Sequence, residues 1–192
     1  MSAKNKPISV YQLKVTLKNS KPPIWRRIQV NSDINLYRLH QNLQVMMGWT
    51  DSHLHQFIVH GEYYGTPDPD LDLDLDLDLE VTNEKSIKLI RVVSEAGDKF
   101  VYEYDFGDSW EHSILVEKIL QPETGVNYPI CLGGKRACPP EDCGGIWGYG
   151  DLLEAIQDPA HPEHEEMLEW LGGRFDPEEF DVDMVNQRLK TI

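Results

Sequence analysis

The chain opens on strict alternation. Tyr11, Leu13, Val15 and Leu17 are apolar while Gln12, Lys14, Thr16 and Lys18 are polar, which predicts a half-buried strand over 11–18. Turn formers occupy 19–23, and 24–30 returns as a β-rich run, so the first two elements read as a hairpin with Arg26 and Arg27 on opposite faces. The period then changes. Leu36, Leu39, Leu43 and Met46 recur at helical spacing behind Asn35, a good N-cap residue, and ahead of Gly48, where a left-handed residue would stop the helix. Strands follow at 55–60, 87–93, 99–104 and 110–119, the last two joined by a glycine-containing turn; the mixed pattern of 87–93 also suits a short helix.

Beyond Leu120 the composition shifts to Pro and Gly, and 121–150 reads as a long loop that must be functional or pinned to persist in a compact domain. The tail returns to helical spacing. Leu152, Leu153 and Ile156 precede Pro159; Pro162 can start a second helix bearing Met167, Leu168 and Leu171 up to Gly172-Gly173; Val182, Val185 and Leu189 mark a third. Between the last two, Asp176-Pro177-Glu178-Glu179 has the form of a capping box. The order of elements predicts an α+β fold: a mainly antiparallel sheet, one helix after the opening hairpin, and a C-terminal group of short helices. A β-grasp-like core is one arrangement that fits. At 192 residues this is a single domain, 1–192, with an acidic Leu-Asp repeat forming a loop at 68–80 and the Pro/Gly/Cys-rich loop at 121–150.

Charge narrows the partners. With 18 Lys+Arg against 33 Asp+Glu the net charge is −15, which opposes phosphate backbones and anionic lipid surfaces. Direct nucleic-acid binding and membrane partnership are therefore not expected. No apolar run approaches the roughly 20 residues of a membrane span, and the first residues lack an apolar leader segment, so the expected location is cytoplasmic. Three cysteines cannot all pair within one chain, which leaves free thiols or metal ligation.

Candidate chemistry concentrates in 102–149, which combines Tyr104-Asp105-Phe106-Gly107-Asp108-Ser109-Trp110 and His112 with Cys131, Cys138-Pro139-Pro140-Glu141-Asp142-Cys143 and Trp147. Cys131, Cys138 and Cys143 are spaced more loosely than structural zinc knuckles, yet with His112 as a fourth ligand they could hold zinc and pin the loop; small buried thiols are the bland alternative and the favoured one. His53 and His55 share a strand face, and Asp105, Asp108 and His112 on the neighbouring hairpin could join them in a His/carboxylate metal site suited to hydrolysis. The plainer reading of the same hairpin gives Asp105 the role of turn cap, Gly107 a positive φ, and Trp110 that of an anchor for the returning strand.

These motifs resemble the plasmid pRiA4b ORF-3-like family of bacterial and archaeal proteins. The resemblance runs from Tyr11-Gln12-Leu13-Lys14-Val15 through Pro23-Ile24-Trp25-Arg26-Arg27, Met47-Gly48-Trp49 and His53-Leu54-His55-Gln56-Phe57 to Tyr104–Trp110, Cys138–Asp142 and the tail at Phe175-Asp176-Pro177-Glu178 and Val185-Asn186. It implies no established activity. Some members carry resolvase labels linked to mobile elements, but this chain lacks the nucleophilic Ser amid arginines and the basic DNA-binding segment that such chemistry requires. The reading carried forward is a binding or interaction module for a protein or small-molecule ligand, with Trp49, Tyr104, Trp110, Glu141, Asp142 and Trp147 as its surface. A metal-dependent hydrolase using His53, His55, Asp105, Asp108 and His112 is the alternative, and a nucleic-acid role linked to mobile elements is third.

Overall fold

The computed structural model describes residues 8–67 and 81–192. Strands β1 (Val10–Leu17) and β2 (Trp25–Asn31) form the opening hairpin, followed by helix α1 (Leu36–Met47) and strands β3 (His55–Val59), β4 (Glu62–Gly65) and β5 (Val81–Asn83). A 3₁₀ turn at Glu84–Ser86 and a one-turn helix α2 (Leu89–Val92) lead to β6 (Lys99–Tyr104), β7 (Trp110–Leu120) and β8 (Ile130–Lys135), and the chain closes with α3 (Gly145–Gln157), α4 (His164–Trp170) and α5 (Val182–Leu189). The strands lie in one sheet, in the order β5-β4-β3-β6-β7-β1-β2-β8. Among the described residues every pairing is antiparallel except β4 with β5.

The alternation in β1 does what it predicts: Tyr11, Leu13, Val15 and Leu17 are buried against Ile28 and Val30 of β2 and Ile114 and Val116 of β7. α1 covers this face with Leu36, Leu39, Leu43 and Met46, each burial contributing about 1.5–3 kcal/mol. Its ends are set as the sequence indicates. Asn35 accepts a bond from Arg38 N at 2.8 Å, and Gly48, at φ +83°, donates to Gln44 O. On the opposite face of the sheet Arg27 makes two bonds to Glu117, at 2.6 and 2.8 Å, while Gln12 donates to the same carboxylate. Arg27 holds the Glu117 carboxyl down at about 2.

Arg26, one residue along, points inward. Its guanidinium donates to the carbonyls of Met46, Trp25 and Lys135 and to Cys138 Sγ, and lies 4.2 Å over the Phe180 ring. This side chain therefore ties the C-terminus of α1, strand β8 and the loop before α5 to β2. Gly134 makes room for it, since a Cβ there would stand 2.7 Å from Arg26 Cδ and from the Phe180 ring. On the outer edge of β8, the Asn186 side chain of α5 accepts from Cys131 N at 2.8 Å and donates to Cys131 O at 2.9 Å.

Three expectations need correction. Residues 87–93 are not a strand; an isolated bridge between Asn35 and Lys88 precedes α2, because the mixed pattern supplies only one turn's worth of buried face. The 121–150 segment is not loop throughout, since β8 extends the sheet and α3 begins at Gly145. Asp176 starts no helix: its carboxylate accepts from Glu178 N within a turn, and Asp181 caps α5 instead. The acidic repeat at 68–80 lies outside the described residues.

Candidate functional site

The segment between α1 and β3 folds over one end of the sheet and meets the loop before α3. Trp49 stacks on Tyr104 at 4.9 Å and donates from Nε1 to Pro139 O at 2.9 Å. Glu141 then clamps the two segments together. One of its oxygens accepts from Thr50 N at 3.0 Å and Thr50 Oγ1 at 2.6 Å, and the other accepts from the Tyr104 hydroxyl. Burial, followed by this bond to Glu141, raises the Tyr104 phenol above its ordinary range.

The β6–β7 turn supplies the next layer. Asp105 sits at φ +58° and its Oδ1 accepts from Gly107 N at 3.0 Å and Asp108 N at 3.4 Å, so it caps the turn as its residue type suggests. The positive φ expected at Gly107 falls instead on Asp105 and Ser109. Asp108 does not face the histidines; its Oδ2 accepts from Gly144 N at 3.1 Å and holds the entry to α3. There Gly145 is required, since at φ +68° a Cβ would stand 2.6 Å from Asp108 O. With α3 drawn against the turn, Asp142 reaches His53. His53 Nε2 lies 3.1 Å from Asp142 Oδ1 and 3.7 Å from Asp105 Oδ2.

A second His/carboxylate group lies deeper. His40, in the apolar stripe of α1, is fully buried and stacks on His55, with ring centroids 3.4 Å apart and planes within 2°. His40 Nε2 pairs with Asp51 Oδ1 and Nδ1 with the Tyr102 hydroxyl, each at 2.8 Å. His55 Nε2 meets both oxygens of buried Glu84 at 3.0 and 3.1 Å. Burial, with the neighbouring His55 second, holds His40 down at about 3, so it is neutral at physiological pH.

The five proposed hydrolase residues therefore do not form one site. His53 and Asp105 meet, His55 pairs with Glu84, Asp108 serves the loop, and His112 is buried between Trp49 and Tyr102 with neither ring nitrogen hydrogen-bonded. Cys131, Cys138 and Cys143 are free thiols and converge neither with one another nor with His112 among the described residues: Cys131 is tied to β8, Cys138 faces Arg26 and Met47, and Cys143 lies near Asp108 and Asp142. The expected binding surface also divides. Trp49, Tyr104 and Trp110 are buried walls, because apolar rings at the sheet end pack inward, while Glu141 is spent on the clamp. Asp142 and Trp147 remain in the open, with the Trp147 side chain on α3 86% exposed. His40, Asp51 and Glu84 were missed, although His40 carried a signal: it occupies a core position, four residues after Leu36.

Asp142 also begins a groove of about 310 Å³ between α3 and α4. Leu152 and Ala155 form its floor and Met167 and Trp170 a wall; Asp142, Asp151 and Glu163 edge it, and no described residue lining it is cationic.

A mainly antiparallel sheet, eight-stranded among the described residues, with helices over its buried face and a histidine-bearing acidic end, defines a class of small α+β proteins. The chain belongs to the plasmid pRiA4b ORF-3-like family, whose profile matches residues 9–184. It is similar to the uncharacterized protein y4hQ of Sinorhizobium fredii (strain NBRC 101917 / NGR234), with 45% identity over 165 residues, 85% of this chain and 81% of that one. The crystal structure of the protein of unknown function MM3350 from Methanosarcina mazei Go1 superposes with a TM-score of 0.81 at 40% identity, covering 92% of this chain and 97% of that one.

Proposed function

We propose that this protein is an interaction module that binds a basic, amphipathic segment of a partner protein in the α3–α4 groove. The observation that carries this reading is the lining itself, an apolar floor and a tryptophan wall edged by three carboxylates, with no cation among its described lining residues. Such a surface favours a ligand that buries an aliphatic or aromatic side chain and places Lys or Arg at the rim. Trp147, one helical turn before Asp151, extends the apolar surface beyond the groove. The same acidity that disfavours nucleic acid steers a basic peptide inward, so the association is expected to weaken with salt.

Display selection of peptides on the full chain tests this directly. The expected consensus pairs Arg or Lys with a bulky apolar residue. The double variant Asp151→Lys/Glu163→Lys, exposed at both positions, should bind the selected peptides at least tenfold more weakly, and Trp147→Ala should weaken them without lowering thermal stability. Neutral or acidic consensus peptides, or unchanged binding by the charge-reversed variant, would sink the proposal.

A further inference from the structure

The His53 imidazole is in an unusual position. Its Nε2 is buried and lies within reach of two carboxylate oxygens, yet it makes no hydrogen bond to either. A histidine hydrogen-bonded to Asp142 through its Nε2 would have that nitrogen's in-plane axis on the line to the oxygen, the alignment met between His40 Nε2 and Asp51 Oδ1. Off-axis approach by several donors is instead the arrangement of ligands around a common centre. Two donors that each lie about 2.1 Å from one ion, at right angles, are about 3 Å apart, and at a tetrahedral angle somewhat farther. The 3.1 Å separation falls within that range, and the 3.7 Å separation lies a few tenths of an ångström beyond the tetrahedral value of about 3.4 Å.

The surroundings favour the same reading. Asp105 spends Oδ1 on the turn amides, which leaves Oδ2 directed at His53, so the turn orients this ligand as an outer hydrogen bond orients one in a metal site. Asp142 is held at φ +61° by the loop that Glu141 and Asp108 pin, and its carboxylate is 69% exposed, so an ion has a way in. The His40–His55 pair is the contrasting case. Imidazole lone pairs lie in the ring plane, and two planes parallel within 2° and stacked 3.4 Å apart do not meet at any point where one ion could sit in both.

We propose that His53 Nε2, Asp105 Oδ2 and Asp142 Oδ1 bind one divalent first-row transition ion, leaving its remaining positions open to water or ligand. One imidazole with two carboxylates favours Zn²⁺ over Mn²⁺ by the general affinity order, and the nitrogen donor disfavours Mg²⁺. This site shares Asp142 with the peptide groove but rests on His53, which does not line that groove, so either proposal can fail alone.

The test uses the untagged full chain, freed of metal with a chelator and titrated calorimetrically with Zn²⁺, Mn²⁺ and Mg²⁺. One Zn²⁺ per chain is expected, with Mn²⁺ weaker and Mg²⁺ not competing. His53→Ala should weaken Zn²⁺ at least tenfold. Asp105→Asn, which keeps the turn acceptor, should also weaken it; if that variant misfolds, the exposed Asp142→Asn carries the comparison. X-ray absorption of the zinc form should show nitrogen and oxygen neighbours at about 2.0–2.2 Å. Failure of the folded chain to take up millimolar zinc, undiminished binding by His53→Ala, or a sulfur neighbour at about 2.3 Å marking Cys143 as a ligand, would each overturn the assignment.

Discussion

Arg26→Met should lower the thermal midpoint by roughly 10 °C, whereas Arg27→Met, one residue along the same strand, should move it by no more than a few degrees. The two side chains carry the same charge and differ only in where β2 points them. Arg26 is 2% exposed, and its donors satisfy three carbonyls: Met46 at the C-terminus of α1, Lys135 in β8 and Trp25, the preceding residue. Methionine fills much of the volume but leaves those acceptors without a partner and without water, at about 1–3 kcal/mol each before relaxation. Relief of burying the charge offsets part of this, and a net cost of about 3–5 kcal/mol remains, equivalent to about 10 °C for a chain of this length. The Arg27–Glu117 pair is partly exposed and screened, and contributes about 1 kcal/mol or less. Matched thermal melts of the two variants check the contrast. Equal shifts would show that the inward arginine is not the tie described above.

Acid should unfold this protein earlier than its carboxylates alone require. His112, fully buried, is held down at about 4, by desolvation first with the Arg26 charge acting in the same direction; His40 is held at about 3. Both are neutral in the folded chain, whereas in the unfolded chain they take up protons near pH 6.5. The unfolded state therefore binds more protons below that point, and stability present above pH 6.5 is lost as pH falls toward 4 and then 3. At about 1.4 kcal/mol per unit for each group, the loss by pH 4.5 reaches several kcal/mol, or roughly 10 °C or more in the midpoint. Asp51, whose carboxyl is raised by burial, acts in the opposite direction and trims this; Glu117, held near 2, contributes a loss only below about pH 4.5. His112→Phe isolates the effect, because neither ring nitrogen has a well-aligned hydrogen bond among the described residues and the Trp110 and Tyr102 backbone groups near the ring contribute only weakly. The variant should be at least as stable at pH 7 and show a flatter decline between pH 6.5 and 4.5. A decline as steep as that of the parent chain would refute the linkage.

The elements that sequence reasoning located are those whose buried face follows a single period. β1, α1, β6 and β7 bury residues at intervals of two or 3.6, and their limits fall within a residue or two of expectation. β8 escaped because Ile130-Cys131-Leu132-Gly133-Gly134-Lys135 has the composition of a turn; it becomes a strand through pairing with β2, and its glycine is demanded by a side chain, Arg26, more than a hundred positions earlier. The site divides in the same way. Asp105 as a turn cap is a local property and was legible, as was the shared facing of His53 with the hairpin. That Asp142 would complete the group depends on α3 abutting the β6–β7 turn through Gly145, and that His55 would leave it depends on Glu84 reaching under β3. Neither long-range contact has a periodic trace in the chain.

The Asn186 amide at the margin of the sheet has a consequence for the solution behaviour of the protein. β8 is a terminal strand of the sheet, and a terminal strand offers its outward N–H and C=O groups as a template for another chain. A primary amide presents a carbonyl oxygen and an N–H side by side along one edge, and Asn186 directs both at Cys131. One side chain thus completes the ladder at that residue as a neighbouring strand would, and the helix that bears it covers the place where a second copy would add edge to edge. The C-terminal helix is in this sense a guard against polymerisation as well as part of the fold.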